Sequence, residues 1–209
     1  MPLRNDDALI ESIIKRYPRS RSAIMPLLHL AQARDGYVTP ESIEVIAEKL
    51  GLETAEVSAV ATFYTQYKRQ PVGEYHVGVC TNTLCAVLGG DAIFEALKEH
   101  LNVENDEVTQ DGKVSVEHIE CNAACDFAPV VMVNWEFYDN QTVQSAKDLV
   151  DACRAGNPPA PTRGPNKLPT WKENSEVLAG INDGRAGEGI QAGEPTLLGL
   201  KLSKEGGRL

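Results

Sequence analysis

Four of the five cysteines fall into two pairs, and that pattern restricts the chain more than any other feature. Cys80 and Cys85 form C-x4-C, Cys121 and Cys125 form C-x3-C, and 35 residues separate the pairs. Each pair follows a β-prone run, Tyr75–Cys80 or Val114–Ile119. In a compact unit, loops at corresponding strand ends meet on one rim, so four thiolates would converge there. The start, Met1-Pro2-Leu3-Arg4-Asn5-Asp6-Asp7, has no basic n-region and no apolar h-region. The chain therefore reads as cytosolic, where five cysteines favour metal or redox chemistry over a disulfide framework. Structural zinc loops usually use C-x2-C knuckles. A [2Fe–2S] cluster needs two sulfurs on each of two irons, and two pairs on two loops suit that demand. The plant-type C-x4-C-x2-C spacing is absent, and no pair of histidines stands at ligand spacing for a Rieske centre. The linkers Thr81-Asn82-Thr83-Leu84 and Asn122-Ala123-Ala124 are short, small or polar, and can turn backbone N–H groups toward sulfur. Thr81, Asn82, Leu84, Asn122, Ala123 and Ala124 are thus the expected surroundings of a cluster. Main-chain donors lead, with the side chains of Thr81 and Asn122 as lesser candidates.

Composition divides the 209 residues into three segments. Residues 1–70 read as helical. Leu9, Ile10, Ile13, Ile14 and Tyr17 recur at helical spacing after Asn5 or Asp6 as cap; Ile24, Leu27, Leu28 and Ala31 do so after Ser20 or Ser22, with Pro26 early in the stretch. Thr39-Pro40-Glu41 is a helix start, Ile43, Ile46, Ala47 and Leu50 share a face, and Gly51 is a stop. A fourth helix is expected from Thr54 toward Tyr64.

Residues 71–155 change period. Strands are expected at Tyr75–Cys80, Val114–Ile119, Val130–Val133 and Glu136–Tyr138, the last two joined by Asn134-Trp135. Helices are expected at Ala92–Leu101, with Asp91 as cap, and at Ser145–Cys153; the unit reads as β-α-β-β-α. Residues 156–209 hold 10 of the 17 glycines and 6 of the 12 prolines. They read as a tail that orders only against a neighbour, with one short helix at Trp171–Ile181 and an apolar patch at Leu197–Leu202. The fold class is therefore α+β: an N-terminal helical domain (1–70), a cysteine-bearing domain (71–155) and a Gly/Pro-rich tail (156–209).

Other readings are weaker. Ala47-x3-Gly51-x5-Val57 fits a helix-turn-helix, but Thr54–Thr62 has no Lys or Arg to meet phosphate or bases. A thiol–disulfide enzyme needs C-x-x-C at a helix start. Cys153 reads as a buried structural thiol, and His76 and His118 as strand histidines, with tuning of the cluster as the alternative role. Phe63, Tyr64 and Tyr67, beside Lys68 and Arg69, read as packing or as a partner contact. No apolar run approaches the ~20 residues that span a bilayer.

The cysteine spacing, followed by Ala128-Pro129-Val130, resembles the thioredoxin-like [2Fe–2S] ferredoxin subunit (the 24 kDa subunit) of NADH:quinone oxidoreductase, respiratory complex I. Leu28-His29-Leu30-Ala31-Gln32, Gly36-Tyr37-Val38 and Val60-Ala61-Thr62-Phe63-Tyr64 are similar to that family's helical domain, so the resemblance covers roughly residues 5–155. It implies a thioredoxin-like domain, Cys80, Cys85, Cys121 and Cys125 as [2Fe–2S] ligands, and a cis proline at Ala128-Pro129. It implies a larger partner subunit that binds FMN and oxidises NADH, with the cluster beside the main electron chain. It also implies a cytoplasmic place, peripheral at the inner membrane through the complex, with no membrane insertion and no nucleic acid. No residue is expected to be catalytic, because no GxGxxG follows a strand and NADH chemistry belongs to the complex. Diaphorase subunits of NAD-linked hydrogenases or formate dehydrogenases share the module; a zinc-stabilised interaction module is the reading outside redox chemistry.

The net charge of −10 has a definite address. Residues 1–70 balance nine basic against nine acidic side chains, whereas residues 71–155 hold 4 and 15. Charge of that sign speaks against broad binding to nucleic acid or anionic lipid. A cluster with four thiolates adds more negative charge in the same place, so a low reduction potential is expected.

Overall fold

The computed structural model describes residues 3–206. Among these residues the α-helices are α1 (Asp7–Ile14), α2 (Ile24–Asp35), α3 (Pro40–Leu50), α4 (Thr54–Phe63), α5 (Thr83–Val87), α6 (Gly90–Leu101), α7 (Val143–Arg154), α8 (Trp171–Leu178) and α9 (Glu194–Lys204). The strands are β1 (Tyr75–Cys80), β2 (Glu107–Val108), β3 (Val114–Ile119), β4 (Val131–Val133) and β5 (Glu136–Tyr138). They form one five-stranded sheet in the order β2-β3-β1-β4-β5. The α+β class stands. The chain divides into two compact units. One takes the residues up to Tyr75 with Val108–Ser115 and Pro169–Gly184; the other takes His76–Glu107, Val116–Leu168 and the residues from Arg185 on.

The first unit is built around α2. Periodicity marked one face of this helix, but Ile24, Leu27, Leu28, Leu30, Ala31 and Ala33 are all buried, which is the pattern of a helix enclosed on every side. Ile10 and Ile13 of α1, Ile43, Ile46 and Leu50 of α3, and Val57 and Ala61 of α4 complete the core. Local chemistry sets the helix ends. Thr39 Oγ1 accepts from Ser42 N at 3.0 Å ahead of Pro40, and Gly51 ends α3 at φ 66°. The helix-turn-helix spacing is this α3–α4 hairpin. Some expected caps are not used. The Asp6 carboxylate pairs with Arg34 instead of capping α1, Tyr17 lies beyond the end of that helix, and a 3-10 turn at Ser20–Ala23 leads into α2. Pro26 fits the first turn of α2, where no N–H is required. The unit also includes α8: Trp171 is buried, its Nε1 donates to Gly36 O at 2.7 Å, and Glu176 meets Arg34. The Gly- and Pro-rich segment therefore supplies two helices, α8 and α9, where one helix and an apolar patch were expected.

In the second unit β4 lies antiparallel between β1 and β5, with Gly78 opposite Met132 and Met132 opposite Phe137. Asn134 (φ 51°) and Trp135 (φ 68°) form the two-residue connection, with the positive φ at both positions that such a hairpin requires. The expected β-α-β-β-α order is incomplete. Helix α5 and the short β2 are additional, while the two strands expected on either side of Asn134-Trp135 are present as β4 and β5, one strand more than that order counts. Asp91 is not the cap of α6, because that helix starts at Gly90 after Gly89 at φ 112°. Ile93, Phe94 and Leu97 of α6 and Leu149, Val150 and Cys153 of α7 face inward as their spacing indicated.

Candidate metal centre

The two cysteine pairs are held in different ways. Cys80 is the last residue of β1 and Cys85 lies in α5, and both are buried. Cys121 follows β3, Cys125 opens a three-residue 3-10 turn, and both are exposed. The Cys80 and Cys85 side chains are within hydrogen-bond reach of each other, as are Cys121 and Cys125. Cys125 is also close enough to Cys80 and Cys85 for like charges to repel. All four sulfurs thus share one rim, as their strand-end positions indicated. Among the described residues, no three or more His, Cys, Asp or Glu side chains are arranged around a single metal ion. Four sulfurs in two pairs are the donor set that a binuclear cluster uses.

Glycine permits the buried half. A Cβ on Gly90 would lie 2.5 Å from Cys80 O and 2.9 Å from Cys85 O, so the start of α6 presses directly on the backbone of both cysteines. A Cβ on Gly78 would lie 2.8 Å from the Ile119 side chain. Val130 ties the pair together: its carbonyl accepts from Cys80 N at 3.1 Å, and its N–H donates to the Cys85 sulfur. The Ala128-Pro129 bond just before it is cis. Ile119, Val130, Met132, Ala128, Trp135 and Phe137 surround this side of the sulfurs with apolar surface.

The electrostatics agree with a group that has to bring positive charge. The Cys85 thiol is pushed up to about 11, chiefly by burial; the Val130 N–H works against the rise, and the nearby Cys80 and Cys125 sulfurs add to it. Desolvation and then the Cys121 and Cys80 sulfurs raise Cys125. Thiolates crowded in this way are stabilised by cationic iron.

The other expected surroundings divide. Ala123 N donates to the Cys121 sulfur at 3.4 Å from a backbone at φ 53°, so a main-chain donor is indeed turned onto sulfur. Asn122 Nδ2 is buried with no hydrogen-bond partner among the described residues, a donor orphaned between two cysteines in the chain. Ala124 packs in the apolar cluster around Cys80 and Cys85. Asn82 Nδ2 donates to Ile119 O at 3.3 Å and fixes the loop instead of facing sulfur. Leu84 is half-exposed, and Thr81 lies at the loop's start, partly buried. His76 pairs with buried Glu117 at 2.9 Å and stacks near Trp135, while His118 is exposed against Phe94. Sequence reasoning missed the Val130 donor, which depends on long-range strand pairing. It also missed Gly90, although the Gly89-Gly90 doublet four residues after Cys85 was a visible sign of close approach. The orphaned amide, the N–H donors on sulfur and the paired thiols fit a [2Fe–2S] group.

Comparison with known proteins agrees. The profile of the thioredoxin-like [2Fe–2S] ferredoxin family matches residues 10–154. The E subunit of NADH-quinone oxidoreductase from Mycobacterium tuberculosis is 60% identical over 196 residues, 93% of this chain and 77% of the relative. Its counterpart from Rickettsia bellii is 43% identical over 150 residues, 70% of this chain and 90% of that one. A chain of an NAD+-reducing [NiFe]-hydrogenase in its H2-reduced state shares the fold, with TM-score 0.56 at 20% identity over 65% of this chain and 23% of that chain. No helix among the described residues is long and apolar enough to cross a membrane. The chain belongs to the thioredoxin-like [2Fe–2S] ferredoxin family, in the branch formed by the E subunits of NADH-quinone oxidoreductase: an electron-transfer subunit of a multi-subunit oxidoreductase.

Proposed function

We propose that Cys80, Cys85, Cys121 and Cys125 are the ligands of the [2Fe–2S] cluster, and that the chain works beside an FMN-bearing, NADH-oxidising subunit of the same assembly. The observation that carries the first part is the convergence of the two pairs, with Cys125 near enough to both Cys80 and Cys85 for their charges to be felt. When bound, the cluster supplies a one-electron carrier. The chain's own residues do the rest. Val130 N–H and Ala123 N–H donate to ligand sulfur and spread its negative charge. Met132, Trp135 and Phe137 keep water from the buried side, and the exposed Cys121 and Cys125 form the open edge. An open edge on one side only is the side to set against a flavin subunit. The identity to relatives from NADH-quinone oxidoreductase favours the respiratory assembly over a hydrogenase, and a peripheral place at the cytoplasmic face of the membrane follows from that reading.

Single Cys→Ser changes in the full chain, with iron and acid-labile sulfide counted, test the ligand set. Each of the four should abolish the normal cluster, and Cys153→Ser should retain about two irons and two sulfides. A full cluster in any of the four variants overturns that ligand. Co-purification with a yellow, NADH-oxidising subunit tests the partner. A potentiometric titration tests the charge argument: 15 acidic against 4 basic side chains in residues 71–155 should hold the potential low, and a value well above that of NADH would contradict it.

A further inference from the structure

The open edge of the site is not left to its own turn. Cys125–Phe127 is a 3-10 turn of three residues, too short to hold an exposed ligand in place by its own hydrogen bonds. Two stretches from beyond residue 155 grip it. Arg163 stands over the Phe127 ring at 5.1 Å and over the Phe137 ring at 4.2 Å. Its guanidinium is locked by a bidentate pair to Asp139, Nε to Oδ2 and Nη2 to Oδ1, both 2.8 Å. Asp139 is itself only 8% exposed and accepts a third bond from Thr162 Oγ1 at 3.0 Å. Thr162 N donates to Phe137 O at 2.8 Å, and Arg163 and Phe137 form an isolated antiparallel β-bridge. From the other stretch, the backbone of Gly193 lies so close to the Phe127 ring that an added Cβ would run into Cζ. Thr196 Oγ1 donates to Asp126 Oδ2 at 2.9 Å. The turn is also tied to the end of β5, through Asn140 N to Phe127 O at 2.8 Å.

We propose that Phe127 and Arg163 are positioning residues for the cluster, and that residues 162–164 and 193–196 form a strap that holds the Cys125 turn in its ligand geometry. The proposal rests on the reading of Cys125 as a ligand. A planar, doubly bonded guanidinium between two rings fixes position; as a charge it counts for little, because Asp139 neutralises it within the same fork. Arg163 therefore acts through Phe127 and the turn, and a lysine cannot replace it.

Gly193→Ala is the cleanest test. Gly193 has φ −85°, which alanine adopts freely, so the new methyl meets only the Phe127 ring. In the metal-free full chain, amide exchange at Phe127, Ala128 and Asn140 should rise about ten-fold in Gly193→Ala and in Arg163→Gln, with β1 amides unchanged. In the loaded chain, the same variants should lose iron to a chelator about ten-fold faster and shift the spectrum of the reduced cluster. Arg163→Lys should behave like Arg163→Gln. Adding Phe127→Leu to Gly193→Ala should restore part of the loss by making room for the methyl. Unchanged exchange and retention in Gly193→Ala and Arg163→Gln would overturn the strap, as would full rescue by Arg163→Lys. The ligand reading fails separately, by a normal cluster in Cys125→Ser.

Discussion

The two units of this chain are specified in opposite ways. The helical unit closes on Ile, Leu, Val and Ala, its residues 1–70 carry no net charge, and its helix ends are written in neighbouring residues such as Thr39, Pro40 and Gly51. The sheet unit carries the acidic excess, and one of its apolar clusters is built partly from Cys80 and Cys85. There, hydrophobic burial and metal chemistry share the same side chains. The difference teaches that the helical unit closes on apolar packing alone, whereas the sheet unit gathers sulfurs that resist ionising together unless cationic iron is bound.

Stripping the cluster should therefore give the largest contrast. Without iron, amide exchange in β1, β4 and the cysteine loops should quicken on the order of a hundred-fold, since metal binding at such sites is folding free energy. Amides of α2 and α3 should keep their rates. Equal loosening of both units would break the comparison.

Acid should act in the opposite sense, through the helical unit. Burial pushes His29 down to about 4 from its ordinary 6.5, and its Nδ1 has no hydrogen-bond partner among the described residues. The folded chain keeps the ring neutral while the unfolded chain takes a proton near pH 6.5. Stability is therefore intact above that pH, falls as pH drops below it, and stops falling near pH 4, where the folded state also protonates. The whole span amounts to about 3 kcal/mol. Urea titrations of the wild type against His29→Gln across this window should show a steeper slope in the wild type, with the carboxylate contribution common to both.

Two glycines sharpen the contrast further. Gly90→Ala in the sheet unit drives a methyl into backbone carbonyls that cannot give way, and should cost about 2 kcal/mol and weaken cluster retention. Gly51→Ala in the helical unit meets nothing within 4 Å and suffers only its positive φ, so it should cost about 1 kcal/mol with the cluster untouched. Equal losses of cluster in the two variants would show that close approach at Gly90 is not what shapes the site.

The same contrast explains what could be read in advance. Helices α3, α6 and α7, strands β1 and β3 and the four convergent cysteines were legible, because period, caps and ligand spacing are local signals. The burial of α2 on all sides was not, since its sequence marks only one face and the enclosing helices are distant in the chain. The clasp of Arg163 on Asp139 and Phe127 joins residues 24 and 36 positions apart across a Gly- and Pro-rich stretch with no periodic pattern. Asp6 shows the limit of local rules: its carboxylate was expected to cap α1 and is spent on Arg34, 28 residues away.

The smallest effect gives the most controlled comparison, because both units carry the same cap. Thr39 Oγ1 accepts from Ser42 N at 3.0 Å in one unit, and Thr142 Oγ1 accepts from Ser145 N at 3.1 Å in the other. Each Thr→Ala change should cost about 1 kcal/mol. The chain also holds two tryptophans, Trp171 in the helical unit and Trp135 in the sheet unit. With the other tryptophan replaced by phenylalanine, each becomes a private probe of its own unit. In the metal-free chain, Thr39→Ala should lower the transition seen by Trp171, and Thr142→Ala the one seen by Trp135, each by a few degrees. A cap lost in one unit that moves both probes equally would mean that the two units melt as one, and the contrast between a self-sufficient helical unit and a metal-dependent sheet unit would then have no thermodynamic content.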